Sequence, residues 1–378
     1  MKKIAVIGNY EPRQCGIATF TADLCEAIVC SCLDIECMAI AVTDVNAKYA
    51  YPARVKFEIQ EEDLQTYISA SKYLNGEDVD VILFQHEYGI YGGDSGNYAL
   101  ALLRNLKMPI LSVLHTVLEK PNQEQRNVLK QILIISTHIV VMSQKSVDIL
   151  HKFYDFNGSN ITVIPHGIPD IQAKTQGQLK SKNGWLNKKI LMTFGLLSVD
   201  KGIENGISAM PKILESDIDV IYLVLGVTHP KVKAHSGESY RRHLTDLAEQ
   251  LGVSENVHFL NQYSDLHSLV SSLLISDIYL APYLKREQSV SGTLAYALGT
   301  GKAIISTPSL YAEEVLSNGR GLLVPFNNPE ALAEGVIYLL KNHSFRKNIE
   351  RKAYEWSRNN IWSNVAERYI KIIFEVGH

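Results

Sequence analysis

Several things are missing from this chain of 378 residues, and each absence narrows what it can be. No stretch approaches the roughly 18 or more apolar residues that a membrane span needs. The run Ile4-Ala5-Val6-Ile7 behind Met1-Lys2-Lys3 is broken at once by Asn9, Glu11 and Arg13. It therefore reads as a buried first strand rather than a signal peptide, and a cytoplasmic protein is expected. Cysteine is scarce: Cys15, Cys25, Cys30, Cys32 and Cys37 are all, and all lie early. An odd count in a reducing compartment argues against a disulfide framework, and the one-residue spacing of Cys30 and Cys32 fits no common zinc pattern. Buried or half-buried free thiols are expected. Charge of one sign is lacking too, since 37 Lys and Arg face 40 Asp and Glu for a formal net charge of −3. That balance gives no general pull toward nucleic acid, and membrane contact is expected to be peripheral at most. Low-complexity tracts and short repeats are absent, and Gly8 and Gly16 stand too far apart for a G-x-G-x-x-G dinucleotide fingerprint.

What is present is a rhythm. Short β-rich apolar runs at Ile4–Gly8, Ile35–Val42, Val79–Gln85, Ile110–Leu114, Ile139–Met142 and Ile161–Ile164 alternate with amphipathic segments at Ile17–Ser31, Glu62–Leu74, Gly96–Leu106, Gln123–Ile135 and Lys145–Phe153. Near-continuous apolar strands alternating with helices predict a parallel sheet covered on both faces. After the polar stretch Gln172–Asn187 the rhythm restarts, with strands at Ile190–Phe194, Val220–Leu225, Val257–Leu260, Ile278–Ala281, Ala303–Ser306 and Leu322–Val324. Helices are predicted between them, and two more, Phe345–Arg358 and Trp362–Val376, close the chain. The fold class is α/β: two Rossmann-like, doubly wound domains, at residues 1–166 and 167–361, facing each other across a cleft. Ligands in such sheets bind beyond the carboxyl ends of the strands.

The candidate residues cluster at those ends. The loop Asn9–Phe20 carries Arg13 and opens a helix at Gly16, where bare backbone N–H groups can meet an anion or a polar substrate; turn geometry alone also explains the glycine. His86-Glu87-Tyr88-Gly89 follows the third strand, and that mixture of aromatic and polar groups suits sugar recognition. His115 ends the next strand, where a neutral imidazole can bond a sugar hydroxyl. In the second domain, Gly195 to Gly202 joins strand to helix and puts Lys201 at a helix start, where the backbone already favours phosphate. Ser289-Val290-Ser291-Gly292-Thr293 opens a further helix, with hydroxyl and N–H donors that serve an anion or simply cap the helix.

Together these residues resemble glycosyltransferase family 4, over essentially the whole chain. The segments that carry the resemblance are Pro12–Phe20, Val163–Gly167, Gly195 to Gly202 and Gly319–Pro325, with His86–Gly89, Ser291–Ala297 and Ser306–Pro308 pointing to a bacterial branch. The resemblance implies a GT-B fold, a retaining reaction and a nucleoside diphosphate sugar, GDP- or UDP-linked, as co-substrate with no further cofactor and no metal. It implies that Gly16 lies near the donor phosphates and the acceptor, that His115 contacts the donor sugar, that Lys201 holds the diphosphate, and that the last helix, 362–378, packs back on the first domain. Two departures stand out. Leu196 occupies the position of a usual arginine, and Gln288 and Tyr296 occupy those of two usual glutamates. Glu287 and Arg286 are the nearest substitutes for the missing carboxylate and guanidinium.

The resulting expectation is a hexosyltransferase, with mannose slightly preferred. Its donor is held by Gly16, Gly195, Lys201, Arg286, Gln288, Ser291, Gly292, Thr293 and Tyr296, with His115, Lys201 and Glu287 catalytic. A saccharide or glycoconjugate acceptor is expected near Arg13, His86, Glu87 and Tyr88. Two rivals share the architecture: a nucleotide-sugar 2-epimerase, and a degenerate protein that binds a sugar or a partner without turnover.

Overall fold

The computed structural model describes residues 1–171, 180–181 and 184–377. Seven strands form one parallel sheet: β1 (Lys2–Gly8), β2 (Ile35–Thr43), β3 (Val55–Gln60), β4 (Val81–His86), β5 (Ile110–Leu114), β6 (His138–Val141) and β7 (Ile161–Val163), in the order β3-β2-β1-β4-β5-β6-β7. The central strands are apolar through their middles because helices cover both faces, and Ile4 to Ile7 and Val81 to Phe84 are fully buried. The helices α1 (Gly16–Ser31), α2 (Leu64–Gly76), α3 (Tyr98–Leu103), α4 (Gln123–Ile135) and α5 (Gln144–Tyr154) connect them. Strand β3 has no counterpart in the sequence reading. It lies at the sheet edge with Lys56 and Glu58 exposed, so its apolar signal is only an alternation, and such charges protect an edge from further pairing.

A second parallel sheet contains β8 (Lys189–Phe194), β9 (Val220–Leu225), β10 (Val257–Leu260), β11 (Ile278–Ala281), β12 (Ala303–Ser306) and β13 (Leu322–Leu323), ordered β10-β9-β8-β11-β12-β13. Around it pack α6 (Ile203–Leu214), α7 (Pro230–Ser236), α8 (Ser239–Gln250), α9 (Leu266–Ile275), α10 (Gly292–Gly299), α11 (Leu310–Val315), α12 (Pro329–Lys341) and α13 (His343–Ser357). Helix α7 was not legible in the sequence, for it buries none of its residues and has no apolar stripe to read. Residues 172–179 and 182–183 of the polar stretch after Ile171 lie outside the described residues. Lys180 within that stretch is buried, its Nζ 2.5 Å from Asp277 Oδ2, and the same oxygen accepts the Ile190 N–H at the start of β8.

The chain divides into two compact units, Met1–Gly167 with Asn360–His378, and Ile168–Asn359. The last helix, α14 (Trp362–Val376), therefore belongs to the first unit. It buries Val365, Ala366, Tyr369, Ile372 and Ile373, and it packs against α1. Among the described residues no helix is long and apolar enough to cross a membrane.

Candidate active site

In the second unit the loops beyond β8, β9 and β11 meet through glycines. Gly195 follows β8 with φ +128°, and a Cβ there would lie 3.2 Å from Thr293 Cγ2. Gly226 follows β9 with φ +147°, and its Cβ would fall 1.9 Å from the Gly195 carbonyl oxygen. Only glycine permits this backbone-on-backbone approach. Val199–Lys201 form a single 3₁₀ turn that ends at Gly202, the cap of α6.

Lys201 is half-buried, and its ammonium lies 5.0 Å from the centre of the Tyr283 ring. The Tyr283 hydroxyl in turn lies 2.8 Å from Ser291 Oγ and 2.7 Å from Thr293 Oγ1. Ser291 caps α10, its Oγ accepting the Leu294 N–H at 3.2 Å, and the first turn of that helix holds no acidic residue. One cation, three hydroxyls and the positive end of a helix thus share one corner with Gly195, an arrangement suited to an anion. Of the residues singled out in the sequence, the structure brings Gly195, Lys201, Ser291 and Thr293 together, with Gly292 between the last two. Tyr283, which links them, was missed; no sequence motif marks it.

Other candidates have different settings. Arg286 is exposed and donates to Glu313 through both terminal nitrogens, at 2.6 and 3.3 Å, and to the Pro308 carbonyl at 3.3 Å. Its guanidinium is thus engaged with a carboxylate. Glu287 is half-buried and has no side-chain partner among the described residues. The Gln288 carbonyl accepts the Tyr311 N–H at 3.0 Å. Tyr296 is buried within α10.

In the first unit Arg13, expected near the acceptor, is 6% exposed, and both of its terminal nitrogens are engaged within the protein. It bonds Asn9 Oδ1 at 2.8 Å and the Val42 carbonyl at 2.9 Å, and pairs with Asp44 at 2.5 Å and Glu61 at 3.1 Å. The side chain braces the loop after β1 against β2 and β3. That loop presents Gly16, exposed, as the first residue of α1, with no side-chain cap and no acidic residue in its first turn.

His115 is buried at the end of β5. Its Nε2 lies 2.8 Å from Gln85 Oε1, and the edge of the Phe20 ring meets it at a centroid distance of 4.8 Å. Burial, with smaller contributions from His166 and His86, pulls its pKa down to about 3, so the ring is neutral. His86 is buried rather than at the rim the sequence suggested. Among the described residues neither of its ring nitrogens has a partner, and burial lowers its pKa to about 3. Half-buried Glu87 accepts from Thr116 Oγ1 at 2.5 Å and from the Tyr88 N–H at 2.9 Å. Burial pushes its carboxyl above the usual range, while these bonds oppose the shift. Tyr88 is buried, its ring 4.8 Å from that of His86. Phe20 also touches His166 and Trp362, an aromatic group the sequence reading did not assemble. Among the described residues no three His, Cys, Asp or Glu side chains gather in a way that could hold a metal ion.

Comparison with known proteins bears on the family and the fold. A family model for glycosyl transferases group 1 matches residues 176–356, and one for glycosyltransferase family 4 matches residues 16–170. An uncharacterized glycosyltransferase of Methanocaldococcus jannaschii is 26% identical over 78% of this chain and 75% of its own length. The D-inositol 3-phosphate glycosyltransferase of Corynebacterium diphtheriae is 25% identical over 71% of this chain and 65% of its own. Among solved structures, sucrose-phosphate synthase from Thermosynechococcus elongatus superposes with a TM-score of 0.81 at 16% identity, covering 99% of each chain. HepE of Anabaena, in complex with UDP-glucose, does so with a TM-score of 0.76 at 15% identity over 99% of this chain and 100% of its own. The two sheets and these likenesses define the GT-B fold. Within that class the chain belongs to the family 4-like glycosyltransferases.

Proposed function

We propose that this glycosyltransferase moves a hexose from a nucleoside diphosphate sugar to a saccharide or glycoconjugate acceptor, retaining the anomeric configuration and using no metal ion. The observation that carries the reading is the Lys201 ammonium over Tyr283, beside the Ser291-capped start of α10. As the bond from sugar to diphosphate breaks, negative charge grows on the leaving phosphate. A fixed cation and oriented helix N–H groups stabilise that charge without reorganising. His115, neutral, bonds a hydroxyl of the donor sugar and moves no proton. The acceptor meets the half-buried Glu87 and the exposed start of α1 at Gly16.

The UDP-glucose bound by HepE, and the names of the inositol phosphate and sucrose-phosphate enzymes, support a nucleotide-linked hexose and a polyhydroxylated acceptor. Mannose keeps a slight preference through family resemblance. The test is a donor screen with GDP-mannose, UDP-glucose and UDP-GlcNAc, following nucleotide release and the mass of the products, with and without EDTA. Transfer that needs no added metal is the expected result. Strict metal dependence would contradict the leaving-group chemistry, and isomerised donor formed without acceptor would point to an epimerase.

One observation favours a second reading. Gln288 and the buried Tyr296 stand where the family resemblance implies glutamates, so a sugar-binding protein without turnover has a structural motive. Saturable nucleotide binding with no product across the whole panel would select it.

A further inference from the structure

Gln85 occupies the next-to-last position of β4 and is fully buried. Burying an amide costs about 1–3 kcal/mol unless its hydrogen bonds are made, and an apolar side chain would fill the same space without that cost. Among the described residues the amide makes one bond, Oε1 to His115 Nε2 at 2.8 Å, while Nε2 of Gln85 has no partner. The backbone around it is fixed: its carbonyl accepts the Tyr91 hydroxyl at 2.6 Å. On the neighbouring strand, a Cβ at Gly8 would lie 2.9 Å from Gln85 Cβ, so glycine there leaves the room this side chain uses. His115 is held on its other sides as well, by the Phe20 ring edge and by its own N–H bonded to the His86 carbonyl at 3.0 Å.

A carbonyl oxygen facing Nε2 requires that Nε2 carry the proton of the neutral ring. Nδ1 is then left with a lone pair. We infer that Gln85 is a positioning residue for His115, holding its imidazole in the Nε2–H tautomer so that Nδ1 accepts a hydrogen bond from a hydroxyl of the donor sugar. The inference rests on the reading that His115 meets the donor sugar, and it adds the direction of that bond and the residue that sets it. The ionisable groups that act on His115, His86 and His166, are both buried and both neutral at physiological pH, while the Gln85 amide oxygen faces Nε2 directly. Among the described residues the Gln85 Nε2 donor has no acceptor.

The experiment is nitrogen-15 NMR of the full chain labelled at histidine, with Gln85→Leu and Gln85→Glu as variants. Wild type should show His115 neutral and protonated on Nε2 near pH 7, and Gln85→Leu should show a mixture of tautomers. Transfer by Gln85→Leu should fall about tenfold or more in kcat, the order expected when a substrate-positioning bond is lost. Gln85→Glu keeps the shape and covers the case in which Gln85→Leu does not fold. Its carboxylate should raise the His115 pKa and favour an imidazolium with no free acceptor. Activity of that variant should therefore fall as pH drops through a new limb absent from wild type. A wild-type ring protonated on Nδ1, or a Gln85→Leu protein with unchanged tautomer, overturns the inference; so does Gln85→Glu without a new limb. The tautomer is read without turnover, so a failed donor screen would remove the proposed reaction and leave this measurement decisive on its own.

Discussion

The ammonium of Lys201 lies 5.0 Å from the centre of the Tyr283 ring, and among the described residues it pairs with no carboxylate. Its neighbours differ: Lys285 is 3.0 Å from Asp200, and Arg286 is paired with Glu313. Resting on an aromatic face keeps a cation in place while leaving its charge available to an arriving anion. Lys201→Ala should therefore lower turnover by about tenfold or more, a loss of roughly 1.4 kcal/mol in transition-state stabilisation. Stability should change by only about 0.5–1 kcal/mol, the worth of an exposed cation–π contact. Nucleotide release and denaturant melts read the two effects separately, and unchanged turnover would remove Lys201 from the mechanism.

Gly16 and Gly202 should respond to alanine in opposite ways. At Gly202 φ is +61° and the new Cβ would lie 2.0 Å from the Pro282 carbonyl oxygen, so Gly202→Ala should cost about 2 kcal/mol or more. At Gly16 the new Cβ meets nothing within 4 Å, and the residue opens a helix. Gly16→Ala should thus keep stability or raise it by up to about 1 kcal/mol. If substrate approaches this backbone, kcat/KM should still fall by about tenfold. Melting curves beside kinetics decide it, and full activity in Gly16→Ala would show that no ligand comes close.

The Tyr283 hydroxyl ties Ser291 and Thr293 to the strand-end loop. Tyr283→Phe keeps the ring under Lys201 and removes only those bonds. The expected cost is about 1 kcal/mol of stability, together with weaker nucleotide binding. Calorimetric titration with UDP and GDP measures the second effect; affinity equal to wild type would confine the hydroxyls to holding the helix.

Acid should weaken the first unit. His86, His115 and His166 are buried and neutral, with pKa values lowered to about 3, about 3 and about 4, chiefly by burial. In the unfolded chain each titrates near 6.5, so below that pH the unfolded state binds more protons. The stability present above pH 6.5 is lost as pH falls toward the folded values, at up to roughly 1.4 kcal/mol per pH unit for each histidine. Thermal melts between pH 7 and pH 5 should show a steady fall, and a flat profile would mean that these rings are charged or exposed in the folded protein.

The architecture was largely legible because buried parallel strands write short, mainly apolar runs: β5, β9, β11 and β12 have the bounds read from sequence, as does the half-buried edge strand β10. Strand β3 and helix α7 escaped because an alternating charged strand and a helix with no buried residue leave no apolar run to read. The site was half legible. Glycine, lysine and serine at strand ends announce an anion-ready turn, whereas Tyr283 beneath Lys201 and Gln85 beside His115 are pairings made only in three dimensions. Arg13 shows the opposite case. Its place in a polar loop suggested an outward role, and only the fold reveals Asp44 and Glu61 waiting for it.

Trp362 has a consequence for how the protein is made. Its ring covers Gly167, where an added Cβ would fall 2.2 Å away, and it closes on Phe20 from a helix belonging to the first unit. A ribosome synthesises the whole stretch Ile168–Asn359 before that helix, so the α1 surface it covers stays bare until the helix has followed, a delay in which a nascent chain is most in need of a chaperone.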